Sequence, residues 1–96
     1  MRTVENVVNE LAAMTPQEMA TLFESRGIKG KPLDSGCCPV ANFVKAETKN
    51  FSIRAYPLCG IEFDADSGLV VLDTPSNIRS FMMMFDRENF PALIEN

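Results

Sequence analysis

The chain has no histidine and no tryptophan, and it has a single tyrosine among 96 residues. Without an imidazole, a Ser–His or Cys–His nucleophile pair cannot be assembled, and the commonest metal ligand is missing. No apolar run approaches the roughly 18 residues of a membrane span. The first residues, MRTVENVVNELAAM, carry acids where a secretory signal would carry bases and an apolar run. Cysteine is scarce and odd in number, Cys37, Cys38 and Cys59, with two adjacent. Neighbouring cysteines cannot reach ordinary disulfide geometry without strain, so reduced thiols in a cytoplasmic setting are expected. Three thiols with no imidazole also make a poor zinc set, and no metal or cofactor is expected.

Hydrophobic residues make up 46% of the chain, and seven phenylalanines supply bulk for a core. One compact α+β domain over residues 1–96 is therefore predicted. The net charge of −4 is unevenly spread. Between Arg26 and Arg54 lie six bases and two acids, a local +4, and the flanks sum to −8. An acidic chain repels phosphate backbones, which argues against nucleic acid as a partner. The central bases, Arg26, Lys29 and Lys31 above all, form a candidate anion-binding group.

Val4, Val7, Val8 and Leu11 recur at helical spacing and predict a helix from about Thr3 to Met14. Thr15-Pro16-Gln17-Glu18 then reads as a second start, with a capping threonine, proline at the first helical position and glutamate closing a capping box. Met19, Leu22 and Phe23 form its buried stripe. Gly27 stops it, with Ile28 folding back on Phe23. Residues 27–38 read as a loop. Cys38-Pro39 opens a third helix with Val40, Phe43 and Val44 inward. Phe51, Ile53 and Ala55 alternate as a strand. Residues 60–63 and 69–72 flank Asp64-Ala65-Asp66-Ser67-Gly68 as a β-hairpin. Thr74-Pro75 repeats the cap-plus-proline start of a last helix that buries Ile78, Phe81, Met82 and Phe85 and runs to about Asn89. The expected architecture is three N-terminal helices, a small antiparallel sheet built on a hairpin, and a C-terminal helix. Its expected core is Val7, Leu11, Leu22, Phe23, Phe43, Val44, Ile53, Val71, Ile78, Phe81 and Phe85.

Four runs, covering most of the chain from residue 14 onward, carry a resemblance: Met14-Thr15-Pro16-Gln17-Glu18, Arg26-Gly27-Ile28-Lys29-Gly30, Cys38-Pro39-Val40-Ala41-Asn42-Phe43, and Pro75 to Phe81 followed by Phe85 to Leu93. Together they resemble a family of small uncharacterised proteins of actinobacteria and their phages. Its members share a pattern written GI-x-G … CPLA-x-YL … P-x-x-[VI]-R-x-F … F-D-x-x-x-[YF]-P-x-L. Val40 and Phe43 stand where that pattern has Leu and Tyr, both conservative changes for a core. The resemblance implies a bacterial or phage accessory protein in the cytoplasm and brings no established activity.

Among chemical motifs, Cys37 is the candidate reactive thiol, because a helix start can acidify a cysteine. The residues that would activate it are missing: no histidine, no Cys-x-x-Cys pair, and no arginine six places after a cysteine. Gly27 to Pro32 lacks the spacing of a phosphate loop. Asp64 to Gly68 lacks that of a calcium loop. The last helix carries more apolar residues than one face can bury. On an extended helix, Met83, Arg87 and Phe90 share the outer side, and these residue types are enriched at protein interfaces. The sequence therefore predicts a non-enzymatic protein-interaction module whose partner is another protein, a host factor or itself. Two alternatives are a winged-helix-like DNA-binding regulator, weakened by the long gap between the second and third helices, and a thiol-dependent enzyme or redox sensor at Cys37/Cys38.

Overall fold

A computed structural model describes residues 2–95. It contains α1 (Val4–Ala12), α2 (Pro16–Ser25), α3 (Pro39–Thr48), β1 (Arg54–Tyr56), β2 (Gly60–Ala65), β3 (Gly68–Leu72), α4 (Ser76–Asp86) and a 3-10 turn at Pro91–Leu93. The fold is α+β, three helices followed by an antiparallel sheet and a closing helix.

Helix starts follow local chemistry. Thr3 accepts from the Asn6 N–H at 3.2 Å and opens α1. At α2 the capping box is complete: Thr15 Oγ1 accepts from the Glu18 N–H at 3.2 Å, and Glu18 Oε1 accepts from the Thr15 N–H at 2.9 Å. Gly27 takes a left-handed φ of 67° after α2, and the Ile28 N–H donates back to the Phe23 carbonyl at 2.9 Å. Cys38 caps α3 through its sulfur, which accepts from the Ala41 N–H at 3.4 Å. The left-handed Lys49 ends that helix.

α4 departs from expectation. Pro75 takes the cap position with no side-chain bond, and the Thr74 hydroxyl donates instead to the Tyr56 carbonyl at 2.6 Å. The helix stops at Asp86, not near Asn89, and Glu88 turns left-handed at φ 63°. That turn sends Phe90 back over the core, where its ring stacks on Phe81 with centroids 5.1 Å apart.

The sheet order is β1-β2-β3, antiparallel throughout. Arg54 pairs with Glu62, and Glu62 with Val71. Side chains alternate across a strand, so Arg54, Glu62, Leu69 and Val71 share one face. Ala55, Ile61, Phe63, Val70 and Leu72 share the other. The second face meets the helices in one contiguous core. Its centre is aromatic: Phe23 lies 5.1 Å from Phe43 and 5.2 Å, edge-on, from Phe81. Nine of the eleven expected core residues are buried. Val71 is 52% exposed because it lies on the outer face of the sheet, and Leu22 is only half-buried at the rim. The expected strand at Phe51 begins only at Arg54, and Phe51 stands exposed in a turn.

The loop between α2 and α3 is held tightly. Gly30 is buried and bridges Ile94 in parallel. Its N–H donates to the Leu93 carbonyl, and its carbonyl accepts from the Glu95 N–H, both at 2.9 Å. The Asn42 amide donates to the carbonyls of Lys29 and Cys37, fixing both sides of the loop to α3.

Candidate functional site

The thiols come apart in the structure. Cys59 is exposed, Cys37 partly so, and Cys38 is buried. Burial pushes the Cys38 thiol up to about 11, so it is protonated at neutral pH and serves as a helix cap. The Cys37 carbonyl is engaged instead, accepting from the Lys31 N–H at 2.9 Å and the Asn42 amide at 3.1 Å. Among the described residues, no group of three cysteine, aspartate or glutamate side chains gathers where a metal could be held. No helix among them is long and apolar enough to cross a membrane.

Beside Cys38 lies a cleft of about 360 Å³ between the 33–35 loop, β1 and α4. Its wall is largely apolar, with Tyr56, Met82 and Phe85, and its rim carries Asp34 and Asp86. Both carboxylates have structural partners. Asp86 accepts from the N–H of Leu33, itself left-handed at φ 61°, at 2.9 Å, and Asp34 accepts from the Gly36 N–H at 3.0 Å. They pin the loop that forms one wall of the cleft.

The central basic group is partly consumed internally. Arg26 faces Glu47 at 3.5 Å, Arg54 faces Glu62 at 2.8 Å, and Lys45 donates to the Gly36 carbonyl. Lys29 and Lys31 remain exposed. α2 and α3 are separated by Arg26–Cys38 and find different partners, α2 packing on α4 and α3 on α1. A helix-turn-helix would instead join the two by a short turn.

On α4, Met83 is 41% exposed and Arg87 is exposed. Phe90 does not join them. It is half-buried because the helix ends one turn early and the ring packs on Phe81. The expected three-residue strip is thus two residues, Met83 and Arg87.

A larger apolar exposure lies at the edge of the sheet, where the periodicity of the sequence gives no sign of it. Leu69 and Val71 are 59% and 52% exposed on the outer face of β3. No other described segment pairs with the far side of that strand. The opposite edge of the sheet is covered, since the Ala55 N–H donates to the Ser35 carbonyl at 3.0 Å. Strand edges are normally blunted by charge, proline or a covering loop. β3 reads Gly-Leu-Val-Val-Leu and has none of these within it.

The chain matches no protein-family model, no curated protein and no solved structure.

Proposed function

We propose that the chain is a non-enzymatic protein-interaction module and that its contact surface is the free edge and outer face of β3. The observation that carries this reading is an uncharged strand, unpaired along one side among the described residues, with Leu69 and Val71 more than half exposed. Unpaired strand groups and exposed apolar side chains are both costly to leave in water when a complementary surface is within reach. Adding a strand to an open sheet edge satisfies the two at once. Set beside the resemblance to actinobacterial and phage proteins, the module is an accessory factor acting on a host protein in the cytoplasm.

The Met83–Arg87 strip on α4 is the second reading, carried by the exposure of Met83 beside an exposed arginine. A photo-cross-linking amino acid placed at position 71 or position 83, in cells that naturally make the protein, separates the two. Adducts from position 71 support the edge, and adducts from position 83 alone move the surface to α4. No adduct from either position removes the interaction reading.

A further inference from the structure

We infer that the β3 edge takes an extended segment of another protein as a fourth strand, and that this segment is apolar in its middle and basic at both ends. The inference rests on the interaction reading above and adds the chemistry of the partner.

The two-residue turn at Asp66-Ser67 sets Ala65 opposite Gly68, and Ile61 pairs with Leu72. The Leu72 carbonyl oxygen points at β2, close enough that a Cβ on Gly60 would meet it at 2.6 Å. Antiparallel pairing alternates along a strand. The N–H and C=O groups of Leu69 and Val71 therefore face away from β2, towards the open side. An incoming strand finds four aligned backbone groups.

Side-chain burial points the same way. On the inner face, Ala55 and Ile61 are 1% and 0% exposed, whereas Val70 and Leu72, one strand further out, are only half-buried. The core thins at this edge. Inward side chains of a fourth strand would cover Val70 and Leu72, and outward ones would cover Leu69 and Val71.

Charge selects the occupant. β3 carries none, but Asp64 and Asp66 stand at one end and Asp73 at the other, with no base between Phe63 and Ile78. The nearest cross-strand base, Arg54, is paired with Glu62. A second copy aligned antiparallel would bring Asp73 of each chain beside Asp66 of the other, at both ends. A segment with Lys or Arg at each end meets the aspartates with opposite charge, whichever way it runs. The five residues of β3 span roughly 16 Å, so the two basic ends are separated by about five residues of extended chain.

The test uses synthetic peptides with a Val-Thr-Val-Thr-Val core, labelled with fluorescein and followed by anisotropy against the whole protein. With Lys-Arg at both ends the peptide is expected to bind saturably, more weakly as salt rises. With Glu-Glu at both ends it should bind at least about tenfold more weakly, the scale of a few exposed charge pairs reversed. Asp66→Asn with Asp73→Asn should narrow that difference, and Leu69→Lys with Val71→Lys should abolish binding while circular dichroism stays unchanged. Equal affinity for the two peptides, or no saturable binding, overturns the inference. A concentration-dependent dimer in sedimentation velocity that is lost on Val71→Lys also overturns it, in favour of a second copy. The cross-linking experiment keeps the two levels apart. Position-71 adducts on a non-basic segment overturn the partner chemistry alone, and absence of adducts overturns the reading beneath it.

Discussion

Gly30→Ala is the substitution for which the structure gives the sharpest expectation. A Cβ at this position would lie 2.4 Å from the Cys37 carbonyl oxygen, 2.6 Å from the Pro39 nitrogen and 2.7 Å from the Cys38 carbonyl carbon. All three atoms are backbone at the start of α3, so no rotamer change relieves the overlap. Overpacking of this kind costs roughly 1–3 kcal/mol. The displacement also loosens the bonds Gly30 N–H to Leu93 and Glu95 N–H to Gly30, each 2.9 Å long, and each worth about 1 kcal/mol net. Alanine restricts the unfolded chain and returns about 0.4–1 kcal/mol. The balance is a loss of roughly 2–4 kcal/mol, or a fall in Tm on the order of 10–25 °C for a domain of this size. Urea unfolding followed by circular dichroism should show a lower midpoint with an unchanged slope. Gly36→Ala is the control. Its Cβ would meet only Asp34 Oδ1, at 3.7 Å, and stability should stay within about 0.5 kcal/mol. A Gly30→Ala protein as stable as the parent would refute the close-approach account of this loop.

Four further outcomes are expected. Phe81→Ala should cost roughly 3–5 kcal/mol, because the ring contacts Phe23, Phe85 and Phe90 together; soluble protein with an unchanged melting temperature would contradict it. Cys38 holds its proton up to about pH 11 when folded, whereas an unfolded thiol releases it near pH 9. Its contribution is therefore complete below pH 9 and is lost as pH rises towards 11, at up to about 1.4 kcal/mol per pH unit. Cys38→Ser should flatten that alkaline slope and cost roughly 1–3 kcal/mol near neutrality, since it buries a hydroxyl where a core sulfur packs; denaturation curves between pH 8 and 11 measure both. In thiol labelling of the native protein, Cys59 should react first, Cys37 next, and Cys38 only at the rate of opening; early modification of Cys38 would place it outside the core. DNA binding near 150 mM salt should be weak and steeply salt-dependent, because half of the central bases already face protein partners; submicromolar, sequence-dependent affinity would restore the winged-helix alternative.

Local chemistry was the legible part of the fold. The capping box at Thr15 and Glu18, the stop at Gly27 and the start at Pro39 are each decided by neighbours in sequence, and each is in place. Thr74 looked the same and behaved otherwise, because the Tyr56 carbonyl, eighteen residues away, took its hydroxyl. Helical spacing places Phe90 on the outer face only if the helix continues to it. A left-handed Glu88, which no glycine announces, turned it inward. Val71 shows the deeper limit. Alternation says that a strand has two faces, but not which face is covered or whether a neighbour exists on either side. The open edge is a property of strand order, and strand order depends on contacts that a local pattern does not contain. For that reason helical periodicity points to α4, whereas the open edge lies on β3.

The position of Tyr56 gives the protein a built-in optical probe. It is the only tyrosine, and no tryptophan is present to drain or mask its emission. Tyr56 is among the residues that line the cleft, and β2 separates its strand from the open strand β3. Fluorescence excited near the phenol band therefore reports on that one side of the molecule. Movement of the 33–35 loop, or anything entering the cleft, should change its intensity. A strand added beyond β3 should leave it dark to the event. Titrations read by tyrosine emission and by a label on the incoming peptide would then separate occupancy of the two sides in one cuvette, with no residue replaced.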